Sequence, residues 1–493
     1  MKNSCPRRSL CATARRLALA ALAVGVTILG STPGLAQRYE QWDPALTEAQ
    51  AKVGVLKVSD ILRNATSVGA NEKKILDAYF SGYFFPTMTL TDATSLGNLA
   101  KARKELFQRY INAAESQAVR DYLISLAITS SGKIAFGDYH PAARYNAALI
   151  IGGLDAKAGR GQPPVVAPQA TAALLILAEN DEWKGKPIPS SVKVAALIGL
   201  QRHARFGVSD EDGAKLTAAA LKVINRAETP DDVTSSVYNW MRVQAAEALA
   251  YQYAKQGPSP EVAAAFASII GNEDVKLAER CRAAALLERM TLAAGSPAAA
   301  ELAPALAQLA SDLFDEEQEA AEEYQDEILA EGGFGGGYGG GFGGGGYGRE
   351  GGGGYGGRGG GGGYGPPGGG GGYGREGGGG YGGGFGGTID VQEETGPRYE
   401  KRRMLARIAA LLSGLKKVES AADEQLKPKV AALAAPIDRL NAKVAERGVT
   451  DVEIAREVAL VADEIQTAAQ QFNVQGGEEA EEDAEAFETA STE

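Results

Sequence analysis

MRVQAAEALAYQYA, from Met241 to Ala254, decides how this chain folds. Val243, Ala246, Leu249, Ala250 and Tyr253 recur at steps of three, three, one and three residues, which places them on one stripe of a 3.6-residue helix. The small pair Ala245 and Ala246 at the centre lets a second helix approach to about 8 Å, the near end of the usual range, and Leu249 fills the space beyond. A basic residue, Arg242, stands just ahead of the pair.

The same order of basic residue, alanine pair and aliphatic residue returns in RYNAALIIGGL from Arg144, in VKVAALIGL from Val192 and in RCRAAALLERM from Arg280. The pairs begin at 147, 195, 245 and 283, so they are 48, 50 and 38 residues apart, on either side of the roughly 40–47-residue period of two-helix solenoid repeats. These segments resemble the HEAT family of α-solenoids, in which a basic residue, an alanine pair and an aliphatic residue recur on one helix of each unit. The likeness covers residues 116 to 295. The second copy is one residue shorter between its basic position and its pair, and the family's aspartate and proline positions are poorly kept. The resemblance implies an all-α, HEAT-like α-solenoid, with units stacked in series over residues 116–331; an Ala-rich helical bundle is the competing architecture.

At the start of the chain Lys2, Arg7, Arg8, Arg15 and Arg16 precede the apolar run LALAALAVGVTILG, and small Gly34 and Ala36 flank Leu35. That is the pattern of a secretory signal, expected over residues 1–36. Its apolar run of 14 residues is shorter than the roughly 20 needed to cross a bilayer, so cleavage after Ala36 is expected in place of anchoring, and the mature chain is expected outside the cytoplasm, in the periplasm or beyond. Removing five positive charges changes the net charge from −12 to −17. So acidic a chain is a poor partner for bulk nucleic acid. Cys281 would be the one cysteine left, so apolar packing rather than disulfides must hold the fold.

Residues 37–115 form an N-terminal helical cap. Its first helix is read from Pro44 to Leu62 with Asp43 as its cap, and KKILDAYFSGYFF concentrates Tyr79, Phe80, Tyr83, Phe84 and Phe85 within seven residues. An aromatic docking surface and the closure of the first hydrophobic layer both fit that cluster; a repeat array needs an atypical terminal unit, which favours closure. Gly- and Pro-rich breakers at 159–168, 185–190, 229–231 and 257–260 separate the units, and Ser209 to Gly213 reads as a helix N-cap.

The helix ending SDLFDEEQEAAEEYQDEILAE is acidic, and RYEKRRMLARIAALLSGLKKV is basic. Their complementarity predicts an antiparallel pair with the glycine block 332–387 extruded between them. That block is expected to be a disordered insert, because glycine loses the most backbone entropy on ordering and little aliphatic burial offsets it. It carries Tyr338, Tyr347, Tyr355, Tyr364, Tyr373 and Tyr381, with Arg349, Arg358 and Arg375. These nine residues are the candidate partner-binding set, as weak multivalent contacts to a protein partner or to a second copy. Stacking on single-stranded nucleic acid is the alternative use, against which the block's net charge of only +1 and export both argue.

Within 388–475, Leu426, Val430, Leu433, Ile437, Leu440 and Val444, then Ile454, Val458, Val461, Ile465, Ala468 and Phe472, alternate steps of four and three. That is a heptad seam, expected as a C-terminal helical hairpin with coiled-coil character or as a dimer interface. Pro428 and Pro436 predict a kink or a late start in its first helix, and residues 476–493 read as an acidic disordered tail. The sequence holds no Gly-x-Ser-x-Gly elbow, phosphate loop, His-Glu-x-x-His or zinc-type cysteine pair. His140 and His203 are expected at surface or capping positions, and no catalytic residue, metal or cofactor is implied.

Overall fold

A computed structural model of the chain describes residues 39–157, 161–255, 257–330 and 401–473. The expected signal, the glycine block with its nine candidate residues, and the acidic tail lie outside the described residues. Within them the protein is all-α, interrupted by two antiparallel two-stranded ribbons, β1 (Asp155–Lys157) with β2 (Val165–Val166) and β3 (Glu182–Trp183) with β4 (Lys186–Pro187). In each ribbon the second strand falls in a segment that the sequence marks as a breaker, and the first lies just ahead of it.

Helix α1 (Glu48–Asn64) begins later than Pro44. Thr47, not Asp43, caps it, because Thr47 and Gln50 exchange side-chain bonds with each other's backbone N–H in a capping box that Asp43 is too far upstream to make. Helix α2 (Ala70–Tyr79) runs into a π-turn at Phe80–Phe84, and α3 (Leu99–Glu105) runs into another at Leu106–Ile111. Each such turn holds one residue more than an α-turn. Tyr79, Phe80, Phe84 and Tyr110 pack edge-on or tilted, and the Tyr79 and Tyr110 hydroxyls share a 2.7 Å hydrogen bond. The aromatic cluster is therefore core rather than a docking surface.

From here the helices fall into two rows. After α4 (Gln117–Phe136), the first row is α5 (Pro141–Gly152), α7 (Ser190–Phe206), α9 (Ser235–Gln252) and α11 (Leu277–Leu286), each packed on the next. The second row is α6 (Pro168–Glu179), α8 (Asp210–Asn225), α10 (Pro260–Ile270) and α12 (Pro297–Ala330), likewise packed in order. All four alanine doublets sit in the first row, and none of their eight residues reaches solvent. Helix α9 is buried around most of its circumference, Tyr238, Asn239, Val243, Gln244 and Ala248 included, so one stripe understates it. A first-row helix has neighbours on both sides and the second row beneath.

Two close approaches set the spacing. A side-chain carbon on Gly152 would meet the Gly199 Cα at 2.6 Å, and one on Gly414 would meet the carbonyl oxygen of Ala284 at 2.9 Å. The backbones touch there, and no larger residue fits without moving a helix.

The basic residue that opens each copy has a structural use. Arg144 Nε donates to the Ala135 carbonyl at 3.0 Å, Arg242 Nε to Ile224 at 2.8 Å and Arg280 Nε to Ile270 at 2.7 Å. Each acceptor is in the last turn of the preceding helix, where carbonyls lack intrahelical partners and the helix dipole favours a cation. The shortened second copy departs from this pattern, as its Lys193 pairs with the Asp181 carboxylate. Lys222 instead reaches the end of α6, at the Glu179 carbonyl, 2.9 Å away.

At the C-terminal end α13 (Lys401–Ala421) continues the first row against α11 and also packs on α12, α14 (Leu426–Ala445) packs on α13, and α15 (Asp451–Asn473) lies along α12. The acidic and basic helices do pair. Arg407 reaches Glu316 at 2.7 Å and Glu317 at 3.2 Å, and with Gly414 beside Leu306 the two run antiparallel. The heptad residues from Val430 to Val444 and from Ile454 to Ala468 are buried inside this chain, so the seam is consumed within the fold. Helix α14 starts at Leu426 and passes through Pro436 without ending. Pro428 falls in its first turn, where no intrahelical N–H is missed. One apolar core runs from Ala51 to Ala469.

Candidate partner-binding surface

The described residues offer little to a nucleophile or base. His140 is the N-cap of α5, its Nδ1 accepting from the Ala142 N–H at 3.2 Å with Tyr39 edge-on to its ring. His203 lies elsewhere than expected. It has no exposed surface, with Nδ1 2.8 Å from the Thr171 hydroxyl and Nε2 3.2 Å from the Gly152 carbonyl. Its place on the inner face of α7, above the Gly152–Gly199 approach, puts it in the core. Both ring nitrogens are therefore engaged in joining α5, α6 and α7. Burial pushes the Cys281 thiol up to about 12, which leaves it protonated and unreactive near neutrality. Among the described residues no group of three or more His, Cys, Asp or Glu is placed to hold a metal ion, and no helix is long and apolar enough to cross a membrane.

Burial, with the nearby Arg202 charge adding to it, also lowers His203 to about 4, below its unfolded value of about 6.5. The unfolded chain thus binds the proton more tightly. The stability contributed by neutral His203 is complete above about pH 6.5 and is lost as the pH falls toward 4. The shift corresponds to about 3 kcal/mol. Urea unfolding at pH 7 and at pH 4 should show the native chain losing about that much more stability over the interval than His203→Gln; equal losses would refute the assignment.

Among the described residues a cleft of about 620 Å³ opens at the N-terminal ends of α5 and α7, bounded by the loop that precedes α9. Three features fix its shape. Pro141, Pro187, Pro189 and Pro230 line it and hold their backbone angles. Asp232 accepts from the Ser190 N–H and hydroxyl, both at 2.7 Å, which ties the loop before α9 to the start of α7. Asp181 accepts from Lys193 and, at 3.2 Å, from Arg226. The Lys193 hydrogen bond holds the Asp181 carboxyl below the usual carboxylate range, so the pair stays ionised.

Beneath these charges Tyr139 and Arg144 form a buried floor, and Ile188 adds an apolar wall. Burial holds the Arg144 guanidinium below its ordinary value, against the pull of Asp138. Asp138 and Asp231 also line the cleft. The result is a recess with an apolar centre and a rim of both signs.

Prolines are the part of this recess that the sequence makes visible. Pro141, Pro187, Pro189 and Pro230 each precede or open a first-row helix. The nine residues singled out in the glycine block lie outside the described residues, and none belongs to the cleft. Compared with family models, with curated proteins and with solved structures, the chain gives no match.

Proposed function

We propose that this protein is an exported, non-enzymatic scaffold of the cell envelope, built as a HEAT-like α-solenoid, that binds a protein partner at the edge formed by the starts of its first-row helices. The observation that supports this most is the proline-fixed cleft at α5, α7 and the loop before α9, a preorganised surface that saves the ordering cost of association. The signal-like start supports export, and the serial packing of two helix rows supports the solenoid reading. In this reading the glycine block, with Tyr338 to Tyr381 and its three arginines, adds weak multivalent contacts.

Ser191 is exposed at the cleft, so Ser191→Trp should fill it without disturbing the core. The partner recovered from envelope extract with the intact chain should bind this variant at least roughly tenfold more weakly, a loss of about 1.4 kcal/mol, at an unchanged unfolding midpoint. Equal recovery would overturn the cleft as the docking edge. Polynucleotide retention at physiological salt that disappears with residues 332–387 would favour the nucleic-acid reading instead.

A further inference from the structure

The first layer of the array is open on its outer side. Between α1 and α2 lies a groove of about 670 Å³ whose walls include exposed Ala49, Val53 and Ala78 and half-buried Leu46 and Ile75. Val53 is 56% exposed, and its neighbour Leu56 is 72% exposed. The buried residues of α1, Ala51, Val58, Ile61 and Leu62, already supply the face it packs inward. Its groove face is thus a second apolar stripe, more than a half-buried helix needs. The charged residues of the groove are Lys57 and Lys74, both exposed.

The other end of the molecule carries the complement. Helix α12 is buried as far as Ala321, and beyond it Glu322, Glu323, Asp326, Glu327 and Leu329 are exposed. Glu319, Glu322, Asp326 and Leu329 follow at steps of three, four and three, so they share one helical stripe. Leu329 is 69% exposed. An acidic stripe ending in a large apolar residue matches a lysine-flanked apolar groove in charge and in chemistry, as in helix-in-groove recognition.

We propose that the α1–α2 groove receives the acidic end of α12 from a second copy of this chain. Helix packing runs in series from α1 toward α12 and α15, so groove and tip belong to opposite ends, and the contact is head-to-tail. A heterologous contact of this kind propagates copy after copy unless its rotation closes a ring. The heptad seam is filled within the chain and is not the self-association surface.

Sedimentation velocity of the intact mature chain over a wide concentration range should show mass growing with concentration, and less so at high salt, which screens the lysine–carboxylate attraction. Lys57→Glu with Lys74→Glu, and separately Glu322→Lys with Asp326→Lys, should each weaken association by roughly a hundredfold or more. Mixing the two variants should restore it, because each then meets an opposite charge. Restoration also shows that both variants fold. A chain that stays monomeric at every concentration, as when residues 1–38 or 331–400 of the same molecule fill the groove, overturns the proposal. So does association indifferent to both charge reversals, or a mixture that fails to associate.

Discussion

Replacing Arg280 by Met should lower the unfolding free energy by about 3–5 kcal/mol, the usual cost of breaking a buried ion pair from one side. Arg280 is 3% exposed; its Nη2 lies 2.6 Å from the Asp312 carboxylate and its Nε donates to the Ile270 carbonyl at 2.7 Å. The substitution removes both partners at once. It strands a carboxylate on α12 and uncaps the end of α10, while the methionine stem still fills most of the space. Asp312 keeps a 2.8 Å bond from Gln308, which points to the lower end of that range. Urea denaturation of Arg280→Met, Asp312→Leu and the double variant would measure the coupling, and the double variant should recover part of the loss. The exposed pair Lys52–Glu48, with both side chains more than 70% exposed, provides the comparison. Breaking it should leave the urea midpoint where it is, because solvent screens so exposed a pair. An Arg280→Met chain as stable as the native one would show that the basic position of the repeat is not a structural joint.

Two glycine-to-alanine changes in helix interiors should have opposite signs. In an open helix the change stabilises by up to about 1 kcal/mol, because alanine has less backbone entropy to lose. Gly132 in α4 has nothing within 4 Å of the position a side-chain carbon would take, so Gly132→Ala should be stabilising by that amount. Gly199 in α7 would place the same carbon 2.8 Å from Leu174 Cδ1 and 2.9 Å from the Gly152 Cα. The leucine can turn aside, but the backbone of α5 cannot. Overpacking costs about 1–3 kcal/mol, which exceeds the propensity gain, so Gly199→Ala should destabilise on balance and Gly199→Val more so. Thermal unfolding of the three variants decides the matter; a stabilised Gly199→Ala would mean that α5 and α7 do not touch.

How much of this was legible beforehand varies by element. The alanine doublets at 147, 195, 245 and 283 announced buried helix faces, and their complete burial follows from a periodicity that any helix must obey. The acid-to-base switch from α12 to α13 announced their pairing, because net charge of opposite sign on consecutive helices has few other uses. The Thr450–Glu453 capping box was equally readable, being a contact across three residues, and Thr450 N–H donates to Glu453 Oε2 at 2.8 Å. Thr47 with Gln50 carries the same three-residue signal, a stronger one than Asp43 alone. The prolines of the cleft are readable as helix starts, but their meeting in one recess is not, because Ser190 and Asp232, which tie it together, are 42 residues apart and no local pattern links them.

By itself, then, the order of residues determined which segments are helices, which faces they bury, and that consecutive helices pair, since each depends on neighbours within a turn or two. Tertiary packing alone decided that His203 belongs to the core, that Gly152 must be small because Gly199 is opposite it, and that the basic residue opening a copy serves the helix before it. It also decided that the heptad seam closes inside one chain while an apolar groove stays open at the other end. Those outcomes turn on which surfaces meet across dozens of intervening residues, and burial, which gives each of them its energy, exists only once the rows have stacked.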